Sequence, residues 1–167
     1  MTRIPTVQGN RARSAVAALA LSAAAFVGFL QHEGFRDEAY YATAEEKERG
    51  INTIGFGTTE GVKQGDKIKV EDALVRALRD SAKFEGAIKR CVTVPLHQYE
   101  YDAYVSLAYN IGEGAFCGST LVKKLNAEDY AGACAEISRW DKQGGVVLRG
   151  LTKRRAEERA KCEGRTQ

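Results

Sequence analysis

Histidine is scarce in this chain, and closely spaced cysteine is absent. Two histidines, His32 and His97, occur in 167 residues, and none of the four cysteines forms a C-x-x-C pair. A zinc site needs three or four such ligands held close together, so no metal centre is expected, and nothing implies a cofactor. A sustained Arg/Lys stripe with interleaved aromatics is also missing, which argues against nucleic acid as a partner. The net charge of +3 suits a polyanionic partner without selecting one. No internal repeat or low-complexity tract is visible. Formal charge is absent from Ser14 to His32.

The chain has the size of one domain, and a hydrophobic fraction of 44% supports a sizeable core, divisible into two lobes that share a long helix. Arg3, Arg11 and Arg13 precede the uncharged run, which is the order of an export signal. As a helix, Ser14 to Leu30 would reach roughly 25–28 Å, just short of a hydrocarbon core. Its strongly apolar members are Val16, Leu19, Leu21, Phe26, Val27, Phe29 and Leu30. Together they favour insertion by only about 2–4 kcal/mol, so the segment can enter a bilayer and also leave it. A signal peptide cleaved near Ala23-Ala24-Ala25 and a buried core helix are the competing readings. The expected one is a retained signal-anchor over residues 1–30, continuing into the first helix of a domain over 31–167. Glu33 decides this, because only Gln31 and His32 separate it from the apolar run.

Beside an export segment, Cys91, Cys117, Cys134 and Cys162 read as two disulfides formed in an oxidising compartment. Sequential pairing, Cys91–Cys117 and Cys134–Cys162, is preferred among the three connectivities. Each loop would contribute about 3.5 kcal/mol in the chain-entropy model. Four free thiols in a cytosolic protein are the alternative.

After Arg36 the pattern becomes extended. Ala39-Tyr40-Tyr41, a charged turn from Glu45 to Gly50, and Ile51 to Gly57 predict a β-hairpin with a long polar tip, with a third strand near Lys67-Ile68. Val70, Ala73, Leu74, Ala77, Leu78, Phe84 and Ile88 recur at helical spacing and predict a helix from Val70 to Arg90. Beyond Pro95 the pattern is helical: one helix ends at Gly112, short ones cover Thr120–Leu125 and Ala127–Trp140, and Thr152 caps a last helix through Lys161. The fold class is α+β, mostly helical, with a small hairpin lobe, a larger helical lobe and a cleft between them.

Cleaving a glycosidic bond needs a carboxylic acid to protonate the leaving oxygen and a second group to manage water or positive charge. Glu33 suits the first role, since partial desolvation behind an apolar helix favours the neutral form. An isolated Glu-Gly is usually a solvated helix end. Here Glu33-Gly34-Phe35-Arg36, Ala39-Tyr40 and Thr53-Ile54-Gly55-Phe56-Gly57-Thr58-Thr59 closely resemble the phage-type lysozymes of glycoside hydrolase family 24. Ala108-Tyr109-Asn110-Ile111-Gly112, Ser119-Thr120-Leu121, Arg139-Trp140 and Gly150-Leu151-Thr152-Lys153-Arg154-Arg155 extend the resemblance from Phe26 to about Cys162. The leading segment is similar to that of the signal-arrest-release endolysins.

The resemblance implies a lysozyme-like fold and a monomeric muramidase. It would be exported to the periplasm, tethered transiently to the inner membrane, and would cut peptidoglycan to lyse the host. It implies Glu33 as general acid and Thr53 as the residue placing the water, with Tyr109, Asn110 and Thr120 contacting sugar. A tyrosine at this spacing is often core instead, as Trp140 is expected to be. Arg154 or Arg155 reaches Glu33 or lies on an exposed basic face. The family's second acid position falls on Ala42, in a turn about five residues longer than the family pattern. A turn carboxylate (Glu45, Glu46 or Glu48), water placed by Thr53 and the main chain, or loss of catalysis would each answer that gap. The turn glutamates read first as solvated and are not counted as site residues. A non-catalytic wall-binding protein and a lytic transglycosylase remain the alternatives.

Overall fold

The computed structural model describes residues 12–165; Arg3 and Arg11, expected as the basic flank of the uncharged run, lie outside them. The run itself is not one helix. Val16–Ala18 form a single 3-10 turn, the chain is then extended, and helix α1 covers Ala23–Glu33. Ser22 divides the two parts by capping α1, its hydroxyl accepting from the Ala25 N–H at 3.1 Å. Val16 and Leu19 are buried in the large lobe, whereas Phe29 is buried in the small one. Among the described residues no helix is long and apolar enough to cross a membrane.

Strand β1 (Arg36–Tyr40) pairs antiparallel with β2 (Thr53–Gly55), Arg36 opposite Gly55 and Tyr40 opposite Thr53. The polar tip between them holds a short helix, α2 (Ala44–Glu48), capped by the Thr43 hydroxyl, which accepts from the Glu46 N–H at 3.0 Å. The expected third strand is a single bridge, Glu38 to Lys67. Two glycines in the β2 turn are required sterically. Gly55 has φ +66°, and a Cβ there would meet Ala73 Cβ at 3.0 Å. Gly57 has φ +90°, and its Cβ would lie 3.3 Å from Glu33 Oε2.

Helix α3 (Val70–Cys91) links the lobes, buries Ala73, Ala77 and Ile88, and carries Glu71 and Asp72 at its start and Lys89 and Arg90 at its end. Helix α4 (Gln98–Ile111) is buried almost all round from Glu100 to Ala108, as the axis of a bundle must be. It stops at Gly112, φ +87°. Helices α5 (Glu113–Cys117), α6 (Thr120–Asn126), α7 (Tyr130–Glu136) and α8 (Arg149–Cys162) complete the large lobe. Tyr104, Leu107, Phe116, Leu125 and Ile137 form the centre of its core, and Trp140 packs partly buried at the edge.

Two details differ from expectation. Helix α8 starts at Arg149, so Thr152 is inside its first turn and donates its hydroxyl to Leu148 O at 3.2 Å in place of capping. The Gly144-Gly145 loop is the tip of a second hairpin, β3 (Lys142–Gln143) with β4 (Val146–Val147). Strands this short leave almost no alternating pattern to detect. Disulfides join Cys91 at the end of α3 to Cys117 at the end of α5, and Cys134 in α7 to Cys162 in α8. Their Cα separations are 5.6 and 5.7 Å.

Candidate active site

A groove of about 530 Å³ runs between the lobes, bounded by the ends of α1 and α4, the β1–β2 hairpin, α3 and the β3 hairpin. Glu33, Thr53, Tyr109 and Asn110 all line it. Thr120 does not: it is exposed in the first turn of α6, where Ser119 caps the helix, so the expectation that it contacts sugar across the groove is not supported by its position.

Glu33 is the last residue of α1. The next residue, Gly34, turns away at φ +69° while its N–H closes the helix on Leu30 O. The carboxyl is not simply desolvated. Its Oε1 accepts from Arg154 Nη1 at 2.7 Å, and its side chain retains 18% exposure. The other oxygen, Oε2, is on the side of Gly57 and of the groove. One oxygen is thus tied down and the other left for chemistry.

Arg154 and Arg155 are buried, which corrects the reading of an exposed basic face. Arg154 donates from Nε to Glu158 Oε1 (3.1 Å) and from Nη2 to Ser106 O (3.4 Å). Glu158 Oε1 also accepts from the Ser106 hydroxyl (2.7 Å) and from Arg155 Nη2 (2.9 Å). Arg155 Nε and Glu158 Oε2 lie 2.7 Å apart as an ion pair too bent to count as a hydrogen bond. Two guanidiniums and two carboxylates therefore balance one another, which is the condition for keeping such charges inside a protein. The sequence signal was the i, i+3/i+4 spacing of Arg155 and Arg154 to Glu158, which puts all three on one helix face.

Tyr109 is both core and groove. Its ring packs against Phe29 and Phe84 with centroids 4.2 and 5.0 Å away, and its hydroxyl donates to Phe56 O at 3.1 Å. Burial, then the nearby charges of Asp80 and Glu33, push its phenol well above the usual range, so it stays a neutral donor. Asn110 Oδ1 accepts from Arg155 Nη1 (2.9 Å), leaving the amide NH₂ as the group to meet a ligand. Asp80, also on the groove, accepts from the Thr58 hydroxyl at 2.6 Å and so steadies the β2 turn.

The wall away from Arg154 holds one of the three turn carboxylates that the sequence offered without counting any of them as a site residue. Glu46 lines the groove beside Ala42 and Thr53. Its Oε2 accepts from the Ala42 N–H at 2.9 Å and from the Thr53 hydroxyl at 3.3 Å. The available signal was Thr43-Ala44-Glu45-Glu46, a capping-box spacing that sends the glutamate back toward the chain before the helix. Neither histidine faces the reaction: His32 pairs with Glu157 (3.3 Å), and His97 stacks on Tyr99. Among the described residues no cluster of ligating side chains is arranged for a metal ion.

Comparison with known proteins places the chain in a family. Residues 30–158 match the family model described as Phage lysozyme. An endolysin of Acyrthosiphon pisum secondary endosymbiont phage 1 is 41% identical over 137 residues, covering 80% of this chain and 90% of the relative. A SAR-endolysin of Pseudomonas phage phiKMV is 33% identical over 144 residues, 84% of this chain and 86% of the other. The solved structure of an endolysin from Escherichia coli O157:H7 phage FAHEc1 superposes with a TM-score of 0.78 at 34% identity, covering 89% of this chain and 96% of that one. The chain belongs to the phage lysozyme family.

Proposed function

We propose that the groove cleaves the β-1,4 bond between N-acetylmuramic acid and N-acetylglucosamine, with Glu33 as general acid. Membership of the family makes the chain a peptidoglycan hydrolase that lyses its host; the bond and the residues are what this reading adds. Its main support is the divided carboxyl of Glu33, with Oε1 on Arg154 and Oε2 toward the groove. A proton carried on Oε2 reaches the bridging sugar oxygen as the bond to the anomeric carbon breaks. Thr53 helps place the water, Tyr109 and the Asn110 amide contact sugar, and the family pattern implies inversion at the anomeric carbon. The enzyme acts as a monomer.

Loss of a positioned acid typically costs 10²–10⁴ in rate. Glu33→Gln is therefore expected to clear chloroform-treated Gram-negative cells at least about a hundredfold more slowly than the parent. Clearing by neither protein, with equal wall binding, points to a non-catalytic binder. Anhydro ends in the products, read by mass spectrometry, point to a transglycosylase. Equal clearing by both removes Glu33 from the mechanism.

The same reading makes residues 1–30 a releasable signal-anchor of the signal-arrest-release kind, delivering the domain over 31–167 to the periplasm. The uncharged run, the two disulfides and the similarity to the phiKMV SAR-endolysin support it. With the segment in a bilayer, Val16 and Leu19 are withdrawn from the large lobe and Phe29 from the small one, leaving the groove without its acid-bearing helix. Full activity of wild-type protein still bound to membrane would sink this scheme.

A further inference from the structure

We propose that Glu46 is the second catalytic carboxylate of the groove: with Thr53 it orients the attacking water, and it takes that water's proton. This rests on the muramidase reading above and deepens it. The position where the family pattern has an acid is Ala42, whose side chain can neither accept a proton nor offset charge. The lengthened turn folds so that the Ala42 N–H and the Thr53 hydroxyl both donate to Glu46 Oε2, at 2.9 and 3.3 Å. Ala42, Thr53, Glu46 and Glu33 line one groove.

A purely structural role for Glu46 would be to close the first turn of α2 in the manner of a capping box. That covers a contact with the chain before the helix, although the N–H it reaches is that of Ala42, one residue ahead of the Thr43 cap. It does not account for the hydroxyl of Thr53, which belongs to a different element seven residues on. Nor does it explain why the carboxylate faces the groove that holds Glu33. Both donors converge on Oε2, and among the described residues no protein donor reaches Oε1.

The hydroxyl geometry sets the water's orientation. Thr53 has one hydroxyl hydrogen, and it is directed at Glu46, so the oxygen's lone pairs remain to accept. A water that donates to Thr53 Oγ1 and to Glu46 Oε1 has its own lone pair turned outward, toward a sugar in the groove. In the step, the water oxygen bonds to the anomeric carbon while that carbon's bond to the bridging oxygen breaks. The bridging oxygen keeps the electron pair and takes the proton of Glu33; the water's proton passes to Glu46. Exchange with solvent then restores both carboxyls.

The test compares digestion of purified peptidoglycan by the parent, Glu46→Gln, Glu46→Ala and Glu33→Gln, with and without sodium azide. Glutamine keeps an oxygen that can accept from both donors but cannot take the proton, so it separates holding the turn from activating water. Glu46→Gln is expected to lower kcat about a hundredfold, with KM within about threefold of the parent. Azide needs no base, so it should restore at least about tenfold of the turnover lost in Glu46→Ala and leave a muramyl azide in the products. It should not rescue Glu33→Gln. The proposal is overturned if Glu46→Gln keeps kcat within about threefold of the parent. It is equally overturned if neither azide nor an added Ala42→Asp restores Glu46→Ala. Glu33→Gln digesting as fast as the parent removes the muramidase reading itself, whatever Glu46 does.

Discussion

The two walls of the groove are held in opposite ways. On one side Glu33 is gripped by Arg154, which is itself fixed by Glu158 and Ser106 beneath it, at the packed junction of α1, α4 and α8. On the other side Glu46 lies on a five-residue helix in an otherwise exposed turn, tethered by one backbone N–H and one hydroxyl. The acid is built into the core, whereas the facing carboxylate depends on a few local hydrogen bonds. A proton donor must keep one oxygen free and one fixed throughout catalysis, and an ion network does that. A group that meets water needs access to solvent, and a surface turn provides it.

Changes on the two sides should separate accordingly. Arg154→Ala leaves Glu33 without its counter-charge and leaves Glu158, only 4% exposed, with Arg155 alone. Removing one partner of such a network costs about 3–5 kcal/mol. Urea unfolding should show that loss together with lost lysis; a loss below about 1 kcal/mol would mean that the grip is dispensable.

Alkali probes the same wall by another route. Burial raises the phenols of Tyr101 and Tyr104 in α4, as it does that of Tyr109. Above about pH 10 the unfolded chain releases these protons while the folded one retains them. Their stabilising contribution is therefore complete below pH 10 and is lost as pH rises beyond it. Each phenol steepens that fall by up to about 1.4 kcal/mol per pH unit. Tyr104→Phe should flatten the stability profile above pH 10, and an unchanged slope there would contradict the assignment.

Thr43→Ala should produce the smallest effect. It removes the cap of α2 without substituting any residue that lines the groove, at a cost of about 0.5–2 kcal/mol to that turn. Global unfolding should move little and KM should rise modestly. A large drop in the unfolding midpoint would show that the turn is as integral to the fold as the Arg154 wall.

The asymmetry also explains what the sequence made legible. Helices α3 and α4 announced themselves through apolar periodicity, and Gly112 through its place at the end of a pattern. Glu33 stood out because a motif of several residues fixed its context. Thr120 falls outside the groove lining, on the exposed first turn of α6, because the resemblance gave its neighbourhood but not the direction of that turn. The interior role of Arg154 was obscured because buried and exposed arginines look alike until the partner helix is known. Glu46 could not be told from Glu45 and Glu48 because the path of a lengthened turn depends on a cap and a tertiary hydroxyl, neither of which periodicity reports. The uncharged run suggested one helix, yet Ser22 ends its first part, because Asp102 waits in the large lobe to bind the Ser22 N–H and hydroxyl.

That contact bears on the proposed release of the leading segment. Leu21 and Ser22 offer their backbone N–H groups to Glu85 and Asp102, at 2.7 and 3.0 Å. An unbroken helix through the same stretch would turn both N–H groups toward carbonyls four residues earlier. Each amide hydrogen has one destination at a time, so if residues 1–30 act as the proposed releasable anchor, a continuous helix through Ser22 requires giving up both contacts with the large lobe.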